Sequence, residues 1–239
     1  MNSIIDSVAA SRRLKIFTAY YAMIYVVINL VLNLVKTGIP FFDTTVGELV
    51  FKLISLLIQA PFMYGLIRGI ITKSYNVGEG LKAFAETKNY LTYLAYIVIN
   101  FIYEAVSASV TLLGKSEGDA ATLGFVLAII VTLFRFVLNL FLVKMYFDSI
   151  DADGKLSLGK TLKGCGELLT KRPLKFAGAE LFMLVAVIAA MVVSSMLAGV
   201  LPAHWSVPPI LSCLNSVQYG FITLTWPVYY LYYRASFEE

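Results

Sequence analysis

The sequence predicts an all-α polytopic membrane protein: a single integral domain over residues 1–239, with six transmembrane helices and two amphipathic helices on one membrane surface. Three observations carry this. Hydrophobic residues make up 59% of the chain and charged residues 14%, where a soluble domain usually carries about 25% charged residues. The mean hydropathy is +0.79. The apolar residues fall in blocks long enough to cross a bilayer, which takes about 20 residues as helix. A soluble domain of this size needs a polar coat, and these charges are too few to build one.

The spans read as 15–36, 46–72, 90–113, 121–147, 173–200 and 208–233. Gly38, Pro40 and Asp43 break the chain after the first span. "GKSEGDA" and "LPAHWSV" form short turns between the third and fourth and between the fifth and sixth. Ile4, Ile5 and Val8 share a helical face ahead of the first span, which suits a short interfacial helix. The apolar run after Arg12, Arg13 and Lys15 is too long for a signal-peptide core and lacks a small-residue cleavage site, so it reads as the first span.

Orientation follows from basic residues in short loops. Fifteen of the nineteen lysines and arginines fall on one side; Lys36, Lys52 and Lys115 fall on the other, and Arg135 lies inside a span. The side rich in cations is therefore expected to be cytoplasmic, with both termini there and the chain in a cytoplasmic (inner) membrane. Tyr229, Tyr230, Tyr232 and Tyr233 read as an interfacial aromatic belt at the inner end of the sixth span.

The two long polar loops resemble each other. "GEGLKAFAE" at 78–86 aligns with "GKTLKGCGE" at 159–167, pairing Gly78 with Gly159, Leu81 with Leu162, Lys82 with Lys163 and Glu86 with Glu167. Val77, Leu81 and Phe84 form one apolar face; Leu158, Leu162, Cys165 and Leu169 form the other. Both loops read as amphipathic helices on the inner surface, over about 77–88 and 157–170. Either the unit span–surface helix–span is repeated about an axis along the membrane normal, or two interfacial helices share a composition. Lys82, Lys88, Lys160 and Lys163 could rest on anionic headgroups, each adding about 1 kcal/mol.

The string "KMYFDSIDADGKLSLGKTLKGCGELLTKRPLKFAGAELFML" resembles the signature loop of a broad group of bacterial six-helix membrane proteins: the YciC-like proteins and the related membrane domains fused to glycerophosphodiester phosphodiesterases. The earlier "MYGLIRGIITKSYNVGEGLKAFAETKNYL" is similar to the first of that group's two such loops. The resemblance covers about half the chain. It implies a six-helix fold and leaves the function open.

Polar residues inside spans are the strongest pointers to a working site. Asn29 and Asn33 share a face of the first span, Asn100 and Glu104 of the third, Arg135 and Asn139 of the fourth. Gln59 lies near the middle of the second, and Asn215 and Gln218 in the outer half of the sixth. An ionised Glu104 or Arg135 facing lipid would cost on the order of 3 kcal/mol. Both are therefore expected to face the bundle or water, and to pair directly or through Asn100. That arrangement would line a polar cavity open to the outside, or it would only glue helices together. Pro61 and Pro227 should kink their helices. Gly65 and Gly69, and the stripe Ala186, Ala190, Ser194 and Ala198, mark close packing against a helix of this chain or another.

Other chemistry is absent from the pattern. "SIDADGKLSLGK" places Asp151, Asp153 and Gly154 as in a calcium loop, but puts Ser149 and Lys160 at its two ends, where ligating carboxylates are required. There is no nucleophile elbow, metalloprotease helix, phosphate loop or dinucleotide fingerprint. His204 has no metal-ligand neighbours. Cys165 and Cys213 fall at different depths and should not form a disulfide. The chain is thus expected to be no enzyme, and to hold no metal or cofactor. The expected function is transport or the handling of a lipid or peptide, with ligand contacts from Glu104, Arg135, Asn100, Asn139, Asn29, Asn33, Asn215 and Gln218. Expected partners are membrane lipids and a small solute, lipid or peptide, and no nucleic acid. The alternative is a non-transporting scaffold or accessory subunit that uses its small-residue stripes to bind a second copy or a partner membrane protein.

Overall fold

In the computed structural model, residues 1–114, 119–200 and 208–238 are described, excluding the side chains of residues 2, 119, 120, 198, 200 and 208–215. The turns at 115–118 and 201–207, with His204, and the side chains of Cys213, Asn215 and Ala198 lie outside that description. Helix is the only regular secondary structure among the described residues, with no strand. The order is α1 (Asn2–Ala10), α2 (Arg12–Gly38), α3 (Thr45–Ile71), α4 (Val77–Lys82), α5 (Tyr90–Gly114), α6 (Asp119–Asp151), α7 (Leu158–Lys171), α8 (Pro173–Val200) and α9 (Pro208–Glu238). Short 3-10 turns occupy Pro40–Asp43, Ala83–Ala85 and Thr87–Asn89. Among the described residues, five helices are long and apolar enough to cross a membrane: α2, α3, α5, α6 and α8. The remaining long helix, α9, is richer in tyrosine, threonine and serine.

Three of the helices start where the sequence supplies a side-chain cap. Ser11 Oγ accepts from the Leu14 amide at 3.3 Å to open α2, and Thr44 Oγ1 accepts from the Gly47 amide at 3.0 Å to open α3. Asn76 Oδ1 accepts from the amides of Gly78 and Glu79 to open α4. The buried face of α2 runs Leu14, Phe17, Thr18, Tyr21, Tyr25, Asn29 and Leu32, at helical spacing. It packs chiefly on α9, which also packs on α8. On the other flank α5 packs on both α3 and α6. Aromatic rings fill the centre: Tyr25 stacks on Phe62 with centroids 5.1 Å apart, and Tyr96 on Tyr146 at 5.3 Å. Helix α1 lies against α9, bringing the two ends of the chain to one end of the bundle.

The small residues of α3 serve contacts within this chain. A Cβ at Gly65 would sit 2.2 Å from the Gly80 carbonyl oxygen, and one at Gly69 2.3 Å from the Phe17 ring. A Cβ at Gly80 would sit 1.9 Å from the Tyr21 hydroxyl. The short helix α4 can therefore lie backbone to backbone on α3, with Tyr21 wedged beside it. On α8, Ala190 is buried while Ala186 and Ser194 are half-buried.

The polar loops differ from each other more than their strings do. The second forms one continuous helix, α7. The first breaks after Lys82 into two 3-10 turns, because its polar side chains are drawn away to other elements. Arg68 Nη1 donates to Glu86 Oε1 and Oε2 at 2.8 and 2.7 Å, and Asn89 Nδ2 donates to Oε2 at 2.8 Å. Burial pushes the Glu86 carboxyl up, but these hydrogen bonds outweigh it and hold it below the usual carboxylate range. Lys88 Nζ donates to Asp153 Oδ1 at 2.5 Å and holds that carboxyl low as well. Arg234 Nη1 donates to Asp151 at 2.7 Å. Asp151 and Asp153, which the calcium-loop pattern would aim at one ion, are each taken by a separate cation. Gly154, at φ +91°, makes the turn between α6 and α7; a side chain there would strike Asn89 and the Lys88 carbonyl.

The glycine contacts give a contrast that thermal unfolding of purified protein can read. Gly65→Ala forces a methyl into a backbone carbonyl and should destabilise by about 1–3 kcal/mol. Gly166→Ala on α7 meets nothing within 4 Å and should stabilise by about 0.5–1 kcal/mol through helix propensity. Equal effects of the two would show that α4 does not sit on α3 as described.

Candidate functional site

The polar residues expected to act together fall into three groups. The first is an ion pair between α3 and α5: Lys52 Nζ donates to Glu104 Oε2 at 2.8 Å. Both side chains are about 30% exposed, at 30% and 29%. Glu104 was expected to meet Arg135, but its carboxylate takes the nearer ammonium instead. Lys52 read as an outer-side topology marker. It lies within the second turn of α3, close enough for its long stem to reach across to α5.

The second group centres on Arg135, near the middle of α6. Arg135 Nη1 donates to Asn100 Oδ1 at 3.1 Å, and the guanidinium lies 4.7 Å over the Tyr103 ring. Asn100 is buried and fixed by its own Nδ2, which donates to the Tyr96 carbonyl at 2.9 Å. An arginine carries about five N–H donors, and Arg135 forms no salt bridge with a carboxylate among the described residues.

The third group lies on the seam between α2 and α9. Asn29 Nδ2 donates to the Tyr25 carbonyl at 2.8 Å, and Asn33 Nδ2 donates to Ser216 Oγ at 3.3 Å. Gln218 is half-buried on α9 and lines no wall beside Arg135. Of these three amides, Asn33 bonds across the seam and Asn29 bonds within its own helix; none of them shares the Arg135 surroundings.

A cavity of about 330 Å³ opens beside Arg135. Its α6 wall is Arg135, Phe136, Asn139, Leu142, Val143 and Tyr146, one helical face. Its α8 wall is Glu180, Met183, Leu184 and Val187. Gln59, Met63 and Ile67 of α3, Tyr25, Tyr96, and Trp226, Tyr229 and Tyr230 of α9 form the back. Asn139 and Gln59 present their amides there without a hydrogen-bond partner among the described residues. The two principal walls scarcely touch each other: among the described residues α6 and α8 have no substantial packing contact, though α7 bridges them at the basic end. Leu184 is 43% exposed, at the edge of that gap.

Glu180 was missed in the sequence, although an acid inside a long apolar span is the same signal that singled out Glu104. It is 6% exposed and accepts hydrogen bonds from Tyr229 Oη at 2.8 Å and Tyr233 Oη at 2.5 Å. This also corrects the aromatic-belt reading. Tyr229, Tyr230 and Tyr233 are 5%, 2% and 0% exposed. They belong to the core because α8 supplies a carboxylate for two of their hydroxyls. At the basic end, burial pushes the Cys165 thiol up to about 12, and Cys165 is a free buried thiol.

What the cavity can do chemically follows from its walls. It offers one guanidinium, two unpaired amides and a tyrosine-bound carboxylate, surrounded by aromatic and aliphatic surface. This combination suits an amphiphile whose head is polar or anionic. No protein-family model, curated protein or solved structure matches the chain.

The Lys52–Glu104 pair can be tested on its own. Lys52→Met and Glu104→Gln should each destabilise by about 1–2 kcal/mol, below the cost for a fully buried pair because both groups keep some exposure. The double variant should lose less than the sum of the two. Additive losses in thermal unfolding would mean that the pair does not form.

Proposed function

We propose that this chain is a six-span protein of a cytoplasmic membrane, both termini inside, that takes an amphiphile into its intramembrane cavity as part of transport or lipid or peptide handling. The α9 helix supplies the sixth span. The observation that carries the reading is the position of Arg135: a guanidinium short of partners, facing a half-open apolar cavity between two helices that do not close on each other. A desolvated cation in such a place costs several kcal/mol unless something compensates it. Here Asn100 and the Tyr103 face compensate it in part, and an anionic or strongly accepting headgroup would complete the set.

The gap between α6 and α8 supports entry from the side. A ligand that partitions into lipid need not cross a headgroup layer to reach Arg135, and Leu184, Val187 and Phe136 give its chain an apolar path. The scaffold alternative has less support. The Gly65 and Gly69 seam, which would bind a partner helix, is already filled by Gly80 and Phe17 of the same chain. The polar loops lie where an inner membrane surface would be, with Leu81, Phe84, Leu158 and Leu162 exposed and able to rest in the interface. The two-loop pattern shared with the YciC-like group fits the same six-span arrangement.

Native mass spectrometry of protein purified in mild detergent tests this. Wild type should carry a co-purifying amphiphile of discrete mass. Arg135→Met and Asn139→Leu should each lower its occupancy about tenfold, the loss of one charge-assisted or polar contact, while the Asn29→Leu variant, altered on the α2–α9 seam, should retain it. Unchanged occupancy in both cavity variants would reject the cavity as the binding site.

A further inference from the structure

A second concavity, of about 440 Å³, lies at the basic end between the end of α6, α7 with the junction at Arg172 that follows it, and the end of α9. It is separate from the intramembrane cavity and shares no lining residue with it. Lys144, Lys160, Lys163, Lys171 and Arg172 line it, against the single carboxylate Glu167. Five cations around one small concavity repel one another, most strongly where they approach within the screening length of about 8 Å in physiological salt. The fold compensates only some of that repulsion.

Two of the cations are partly neutralised from behind. Lys144 Nζ donates to Asp148 Oδ1 at 2.6 Å, and Lys160 Nζ lies 3.5 Å from the same oxygen. Asp148 is buried, and its other oxygen accepts from Thr161 Oγ1 at 2.9 Å. Arg172 is held in place by donating to the Ser236 carbonyl at 2.8 Å, a bond that orients its charge without cancelling it. Lys163 and Lys171 are exposed and have no hydrogen-bond or ion-pair partner among the described residues. The positions are also built. Lys144 passes over Gly164, where a Cβ would come within 2.6 Å of its Cε, and its ammonium sits 5.0 Å over the Phe237 ring.

We infer that this basic concavity is a binding site for a phosphate-bearing anion, with Lys163, Lys171 and Arg172 as its direct contacts and Lys144 and Lys160 held by Asp148 as its floor. A phosphate carries about −1.5 to −2 charge and several strong acceptor oxygens, which matches a cluster of mobile ammonium donors around one fixed guanidinium. The ligand is either a soluble phosphate or the headgroup of an anionic phospholipid; exposed Leu158, Leu162 and Leu174 lie on or next to the elements that frame the site.

The test uses full-length protein and two probes. In detergent, inorganic phosphate is titrated against thermal unfolding, with sodium chloride at matched ionic strength as the reference. In nanodiscs, phosphatidylglycerol is compared with phosphatidylcholine. A saturable rise with phosphate in detergent identifies a soluble source. A rise only with phosphatidylglycerol identifies a lipid headgroup. Either supports the site, provided that Lys163→Gln/Lys171→Gln weakens the response about 30-fold, the product of two basic residues. Gly164→Ala, which displaces Lys144, should weaken it as well. The control Lys73→Gln/Lys155→Gln removes the same charge elsewhere at the basic end and should respond as wild type. The inference is overturned if neither probe stabilises wild type, or if the pocket and control pairs respond alike.

Discussion

The structure is organised by the cost of keeping polar groups away from water. The chain places charged residues within long apolar helices, and each must find compensation inside the bundle or at its edge. Glu104 finds Lys52. Glu180 finds two tyrosine hydroxyls. Asp148 finds two lysines and a threonine. These solutions fix which faces of α3, α5, α8 and α9 turn inward, and the aromatic core packs around them. Arg135 is the exception: its neighbours satisfy it only in part, and the cavity lies where its remaining donors can reach.

The relation between the two halves bears on the same point. Helices α4 and α7 begin at corresponding positions of two similar strings, each between a pair of long helices. In the first half those long helices, α3 and α5, pack on each other; in the second, α6 and α8 scarcely do. The cavity occupies the place where the second half departs from the first.

Much of the helical architecture was legible in the sequence because long apolar runs have few other physical explanations. The long helices fall close to the expected ranges, and α7 close to 157–170. The side-chain chemistry was less legible. Asn100 was expected to bridge to Arg135, and Arg135 does donate to it. Pairing Glu104 with Arg135 assumed that the two charges deepest in the spans would choose each other, whereas a long lysine stem let Lys52 arrive first. Glu180 could have been found by the rule applied to Glu104. The tyrosines of α9 could not be placed, because belt and core tyrosines look alike until the partner of the hydroxyl is known. The break in the first amphipathic loop had no local signal either: Glu86, at its end, is held by Arg68 of α3, far away in the sequence.

The central claim is that Arg135 faces an amphiphile in a cavity open between α6 and α8. An experimental structure in a lipid nanodisc tests it most directly. The account predicts density for a headgroup beside Arg135 and Asn139, with a chain leaving between α6 and α8. A structure in which α6 and α8 pack together and Arg135 is closed onto Glu104 or Glu180, with no space beside it, would contradict the account.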